Sequence, residues 1–185
     1  MPADRTRVAG LIGADGKRLA REIAGAAERS ISDEDAERID HRSGVIYDEL
    51  NVDPRPTDGA HELLIELARG SLPWAIATSS RAEQTRASIA SLELPEPPLI
   101  VDGSHVEHAK PAPDLLLLAA ERLATAPLDC WYIGDATWDM LAAVAAGMVP
   151  VGVPYGAVGA DDLRAAGARA VATLADLEAE VRRRF

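Results

Sequence analysis

Three short segments hold the residues able to do chemistry: Thr78-Ser79-Ser80, Lys110-Pro111-Ala112-Pro113-Asp114 and Gly134-Asp135-Ala136-Thr137-Trp138-Asp139. Hydroxyls, an ammonium and two carboxylates are tools for handling a phosphate. Thr78 and Ser79 would offer hydroxyls and open amides to an anion where a strand runs into a helix start; a plain helix cap uses the same residues. Lys110 stands ahead of Pro111, where no helix can run, so a compact positive charge is held ready to offset a phosphoryl oxygen. A solvated loop lysine is the alternative. Asp135 follows an apolar run and Gly134, and Asp139 returns four residues later to the same side of a new helix. Two hard oxygen donors near one point suit Mg²⁺, with helix capping plus a solvated acid as the plainer reading.

The elements that must position these residues follow from periodicity and breakers. From Arg5 to Leu50, apolar residues fall at helical spacing, as Leu11, Leu19, Ile23 and Ala27 do, which predicts two or three helices. Ser32 ahead of Asp33, Glu34 and Asp35 is a helix start, since its hydroxyl can accept from an open amide and the acids favour the positive helix end. Pro54 and Pro56, between Asn51 and Gly59, break the helical run. Alternation follows. Helices are expected at Gly59 to Arg69, Ala82 to Ser91, Pro113 to Ala124, Thr137 to Ala146, Ala160 to Ala166 and from Leu174. Between them come strands at Trp74 to Thr78, Leu99 to Asp102, Cys130 to Gly134, Val149 to Val153 and Ala170 to Ala172. Strand and helix in turn predict a Rossmann-like α/β fold, a doubly wound parallel sheet covered on both faces. Ligands of such sheets sit at the carboxyl ends of the strands, where the three segments fall.

Composition narrows the partners. Thirty acidic against 19 basic residues give a formal charge of −11, a field that repels a nucleic-acid backbone. Small phosphate esters stay open to it, because a metal ion and a lysine can reverse the field locally. Cys130 is the single cysteine and can form no internal disulfide. With no apolar run of membrane-spanning length and no leader pattern, a cytoplasmic protein with no membrane partner is expected.

A strand-end Thr, a Lys-Pro-x-Pro-Asp segment and a Gly-Asp-x-x-x-Asp strand end, in that order, resemble the second, third and fourth motifs of haloacid dehalogenase-type hydrolases. The similarity runs on through Ala146-Gly147-Met148 and Leu163 to Ala168, in the branch that holds phosphoglycolate phosphatase and beta-phosphoglucomutase. Leu11 to Leu19 is similar to the first half of that branch's helical cap. The resemblance implies a partial cap over residues 1–55 and a core over 56–185. It also implies a small phosphorylated metabolite as substrate, cleaved through an aspartyl phosphate. Thr78 and Ser79 would bind the phosphate, with Thr78 and Lys110 counted as catalytic and Lys110 stabilising charge. Asp135 would bind Mg²⁺, with Asp139 beside the metal or orienting Lys110. Gly13, Asp15, Lys17 and Arg18 would contact the substrate from the cap.

One part of the family pattern has no counterpart. The first motif, an apolar strand ending in Asp-x-Asp-Gly-Thr that carries nucleophile and general acid, is absent from the sequence. The lookalikes read otherwise: Asp33-Glu34-Asp35 as a cap, Asp58-Gly59 as a turn, and Val101-Asp102-Gly103 as a later strand end. Without that strand, the core lacks its central member and exposes two rows of backbone groups. An inactive chain and a homo-oligomer joined through open sheet edges are therefore expected. The rivals are a noncatalytic binding or assembly module and a receiver domain. Receivers order their residues Asp, Thr, Lys, whereas here Thr78 and Lys110 precede Asp135.

Overall fold

The computed structural model describes residues 8, 10–80 and 82–184. Arg5, where the first helical stretch was expected to begin, lies outside the described residues. Two helices follow, α1 (Gly16–Ala26) and α2 (Asp33–Leu50), packed on each other. Ser32 caps α2 as its type and place predict, its Oγ accepting from Asp35 N at 3.0 Å. The chain then alternates: α3 (Ala60–Arg69), β1 (Ile76–Ala77), α4 (Ala82–Ala90), β2 (Ile100–Val101), α5 (Asp114–Arg122), β3 (Trp131–Gly134), α6 (Thr137–Ala146), β4 (Val149–Gly152), α7 (Ala160–Ala165), β5 (Ala170–Val171) and α8 (Leu174–Arg184). No helix among the described residues is long and apolar enough to cross a membrane.

The strands are parallel but form two sheets, β1-β2 and β3-β4-β5, with no ladder between them among the described residues. In a parallel strand, alternate residues turn their amides to opposite edges. Ile76 N and Thr78 N donate to Leu99 O and Val101 O beside them, so the backbone of Ala77 faces away from β2. On β3, Cys130 O and Gly134 O accept from β4, so Trp131 and Ile133 present their backbone to the other edge. A phenol crosses between the edges: Tyr132 OH donates to Ala77 O at 3.2 Å.

One helical layer joins both sheets. Leu115, Leu116, Ala119 and Ala120 of α5 and Ala142, Ala143 and Ala146 of α6 form a single buried cluster with Val101 of β2. On the opposite face, Leu63 of α3 and Leu177 of α8 cover Val151 and Val153. That cover stops short of β3, where Trp131 and Ile133 stay 47% and 36% exposed. Central strands of covered parallel sheets are apolar because both faces are buried; β3 has the composition without the burial.

Candidate active site

Gly134 ends β3 and lets α6 come close. A side chain there would lie 2.4 Å from Asp139 Cβ, so only the missing Cβ allows the first turn of α6 to fold back on the strand end. Asp139 uses that approach fully. Its Oδ2 accepts from Asp135 N at 3.1 Å and Ala136 N at 3.0 Å. Its Oδ1 accepts from Lys110 Nζ at 2.6 Å, and it shares with Ala77 O the single proton of Tyr132 OH, which lies 3.2 Å from each.

Lys110 and Asp139 are 7% and 4% exposed. Burial by itself drives an ammonium toward neutrality, but the phenol of Tyr132 and the carboxylate of Asp139 outweigh it and hold Lys110 protonated, above the ordinary lysine range. Lys110 Nζ also lies 3.3 Å from Tyr132 OH. Burial pushes that phenol up to about 12, with the charge of Asp139 adding to the effect and Lys110 opposing it. Tyr132 is therefore a neutral hydroxyl that bridges the ion pair and the end of β1. In the sequence Tyr132 is only a member of the expected strand at Cys130 to Gly134; a tyrosine two places ahead of Gly134-Asp135 is the signal that could have found it.

Tyr132→Phe should lose about 1 to 3 kcal/mol, because it strands Ala77 O and removes one partner each from Lys110 and Asp139. Urea unfolding measures it. A change under about 0.5 kcal/mol, the range of an ordinary surface substitution, would contradict the bridge.

Asp135 differs from Asp139. It reaches solvent, and its carboxylate lies against Gly156, where a side chain would collide with it. Desolvation by the surrounding protein, then the charge of Asp139, push its carboxyl upward; a bound cation would reverse that. Among the described residues, no three His, Cys, Asp or Glu side chains come together. Magnesium is commonly held by one or two carboxylates with water and phosphate completing the shell, a demand that Asp135 fits as a single hard donor.

Thr78 sits just past β1, its N–H on Val101 O at 2.9 Å and its Oγ1 accepting from Ser80 N at 3.2 Å. It directly follows Ala77, the residue Tyr132 touches, so the end of β1 and the Lys110 cluster adjoin. Ser79, Gly13, Asp15, Lys17 and Arg18 line a cavity of about 950 Å³, together with Ala109 and Pro111 on either side of Lys110. Lys110, Thr78, Asp135 and Asp139 lie outside that lining. The amino-terminal helices meet the core through the loop before α1. Gly13, at φ +95°, passes so close to Ala136 that a Cβ would lie 2.7 Å from it, and Trp138 Nε1 donates to Gly10 O at 2.9 Å.

Asp102 does not join this group. It caps a 3₁₀ turn at Gly103–His105, accepting from Ser104 N at 2.8 Å. Burial pushes its carboxyl up, but the Ser104 hydroxyl and amide outweigh that and hold it below its usual range.

A parallel α/β scaffold that gathers a buried ammonium, hydroxyls and acids at its strand ends defines a class of phosphate-handling folds. The haloacid dehalogenase-like hydrolase family matches residues 3–153, and the chain belongs to it. Hexitol phosphatase A of Escherichia coli (strain K12) is 34% identical over 125 residues, 68% of this chain and 56% of that protein. Phosphoglycolate phosphatase of the same strain is 45% identical over 58 residues, 31% of this chain and 23% of its own length. The matched stretch thus spans 56% of the first of these curated relatives and less than a quarter of the second. Among solved structures, a hydrolase from Pseudomonas syringae superposes with a TM-score of 0.88 at 33% identity, covering 94% of this chain and 80% of that one.

Proposed function

We propose that the chain is the greater part of a phosphohydrolase acting on a small phosphorylated sugar, polyol or hydroxy acid through an aspartyl phosphate. The nucleophile would come from a strand that this sequence does not hold. The observation that carries the reading is the buried Lys110–Asp139 pair, bridged by Tyr132 to the end of β1. A hydrolase that gathers negative charge on a transferring phosphoryl group needs a fixed cation there, and a lysine is seldom buried this deeply unless it is paired.

Residues 1–55 would act as a partial helical cap over a core at 56–185. Thr78 and Ser79 would hold phosphoryl oxygens and Lys110 would offset their charge. Asp135 would hold Mg²⁺, which when bound supplies a second positive charge to the phosphoryl group. Asp139 has its oxygens taken up by Lys110, Tyr132 and two amides, so its part is to position Lys110 rather than to complete a metal shell. The open edges of β1 and β3 favour a second reading, a noncatalytic module that pairs with another chain through them.

The test is a chain extended by an apolar strand ending in Asp-x-Asp-Gly-Thr, given phosphomonoesters including glucitol 6-phosphate and phosphoglycolate. Phosphate release that needs Mg²⁺ and stops with chelator is expected. A folded extended chain that releases phosphate from none of them would overturn the proposal.

A further inference from the structure

The segment ahead of α1 and the first turn of α6 meet at three points, all on residues 136–138. Trp138 Nε1 donates to Gly10 O at 2.9 Å, across 128 positions of sequence. The guanidinium carbon of Arg18 lies 4.7 Å from the centroid of the same indole ring. Gly13 rests against Ala136, and a Cβ on it would lie 3.8 Å from Trp138 Cδ1. One tryptophan thus offers a donor, a face and an edge to three residues of one segment.

Residues 10–15 need such contacts. They form turns, tied internally by Leu11 N–H to Val8 O at 3.0 Å and Ala14 N–H to Leu11 O at 3.2 Å. A segment without a helix or ladder of its own opens at little cost unless contacts from outside hold it. Arg18 extends the grip to the start of α1, where its N–H donates to Asp15 Oδ1 at 2.9 Å. The helical pair has another tie, Asn51 Nδ2 to Ser88 Oγ at 3.2 Å, but it sits beside the chain's own link to the core and leaves the α1 end to be fixed elsewhere. The indole does so from a rigid base. Ala136, Asp139 and Met140 are buried, and Asp139 Oδ2 holds Asp135 N and Ala136 N.

Placement matters because of what the segment faces. Gly13, Lys17 and Arg18 line the cavity of about 950 Å³ with Ser79, Ala109 and Pro111 from the strand ends. The turn that carries Trp138 also carries Asp135 and Asp139, so one short stretch of chain serves both sides of that space.

We propose that Trp138 is a positioning residue: it seats residues 10–18 on the strand ends and so sets where they meet the leaving group of a bound phosphate compound. The leaving-group part rests on the phosphohydrolase reading, whereas the seat belongs to the 185-residue chain itself.

Hydrogen exchange of this chain tests the seat. Trp138→Phe keeps a ring under Arg18 but has no N–H, and exchange over residues 10–18 should quicken by about threefold to tenfold, the shift in opening expected from one hydrogen bond. Arg18→Met breaks the stack from the other side and should quicken the same amides with α6 unaltered in sequence. Exchange over α5 and β4 should stay at the parent rate in both variants. The leaving-group part is read on the chain extended by the Asp-x-Asp-Gly-Thr strand. There Trp138→Phe should lower kcat/KM for glucitol 6-phosphate by about tenfold or more, since a misplacement of about 1 Å can cost about 10²-fold, and should change it by less than about twofold for acetyl phosphate, whose leaving group is too short to reach the segment. Unchanged exchange over residues 10–18 in either variant, or equal quickening over α5 and β4, would overturn the seat. Equal losses with the two compounds would overturn the leaving-group part. An extended parent that hydrolyses neither would overturn the phosphohydrolase reading and the leaving-group part with it, and exchange would then decide the seat alone.

Discussion

Phosphate release by the 185-residue chain is expected to stay at the uncatalysed background, and to rise by about 10⁴-fold or more once a strand carrying the two aspartates is supplied, because removing a nucleophile from an otherwise intact site costs that order in kcat. On the proposed reading Lys110, Thr78 and a metal at Asp135 would stabilise charge on the phosphoryl group, and the attack on phosphorus would fall to the first aspartate of that strand. The proposed strand has a place: among the described residues, the backbone of Ala77 on β1 and of Trp131 and Ile133 on β3 faces away from the ladders that pair those strands. A single parallel strand laid between them would pair both rows at once and cover the exposed side chains of β3. Its carboxyl end would then emerge beside Thr78 and Asp135. Two readouts check this: phosphate release, and the accessibility of Trp131 to an aqueous fluorescence quencher, which should fall as the strand docks. Asn in place of the first aspartate should return release to background while keeping Trp131 protected. Full activity in that variant would sink the assignment of the nucleophile.

What the sequence makes legible is mostly local. α6 begins at Thr137 and ends at Ala146 as the pattern predicts, because the Gly134-Asp135 strand end and the Gly147 stop are written in adjacent residues. Ser32 as a cap is legible for the same reason. Strands are less so. Trp74 to Thr78 reads as five residues of strand, but only Ile76 and Ala77 form the ladder, since strand length is set by partners far along the chain and β1 is paired along one edge. The site divides in the same way. Lys110, Asp135 and Asp139 stand out by type and motif, but a loop lysine gives no hint that it is buried. Tyr132 and the Arg18–Trp138 stack went unread, because each acquires its role from contacts across the fold. Tyr132 reaches Ala77 and Lys110, 55 and 22 residues away, and no periodicity encodes such meetings.

The largest effect on stability should come from breaking the Lys110–Asp139 pair. Either Lys110→Met or Asp139→Ala should lose about 3 to 5 kcal/mol, because it leaves the partner charge buried without its counter-ion. Against a total of about 5 to 15 kcal/mol for a typical domain, that brings the chain close to unfolding. The double variant should lose clearly less than the sum of the two, since no orphaned charge remains, and the coupling should reach about 2 kcal/mol or more. Urea midpoints at constant m-value give the numbers. Additive losses of under about 1 kcal/mol each would mean that water reaches the pair and the ammonium is not fixed in place. Exposed pairs supply the control: Arg21–Asp33 and Arg38–Asp35 have similar distances, 2.7 Å each, yet solvent screens them, and Asp33→Asn or Asp35→Asn should leave the midpoint almost where it was. What separates Lys110–Asp139 from these is burial. Apolar residues of similar volume would often serve stability as well as a buried ion pair, so a lysine kept here against that cost is best explained by the charge it holds at the strand ends.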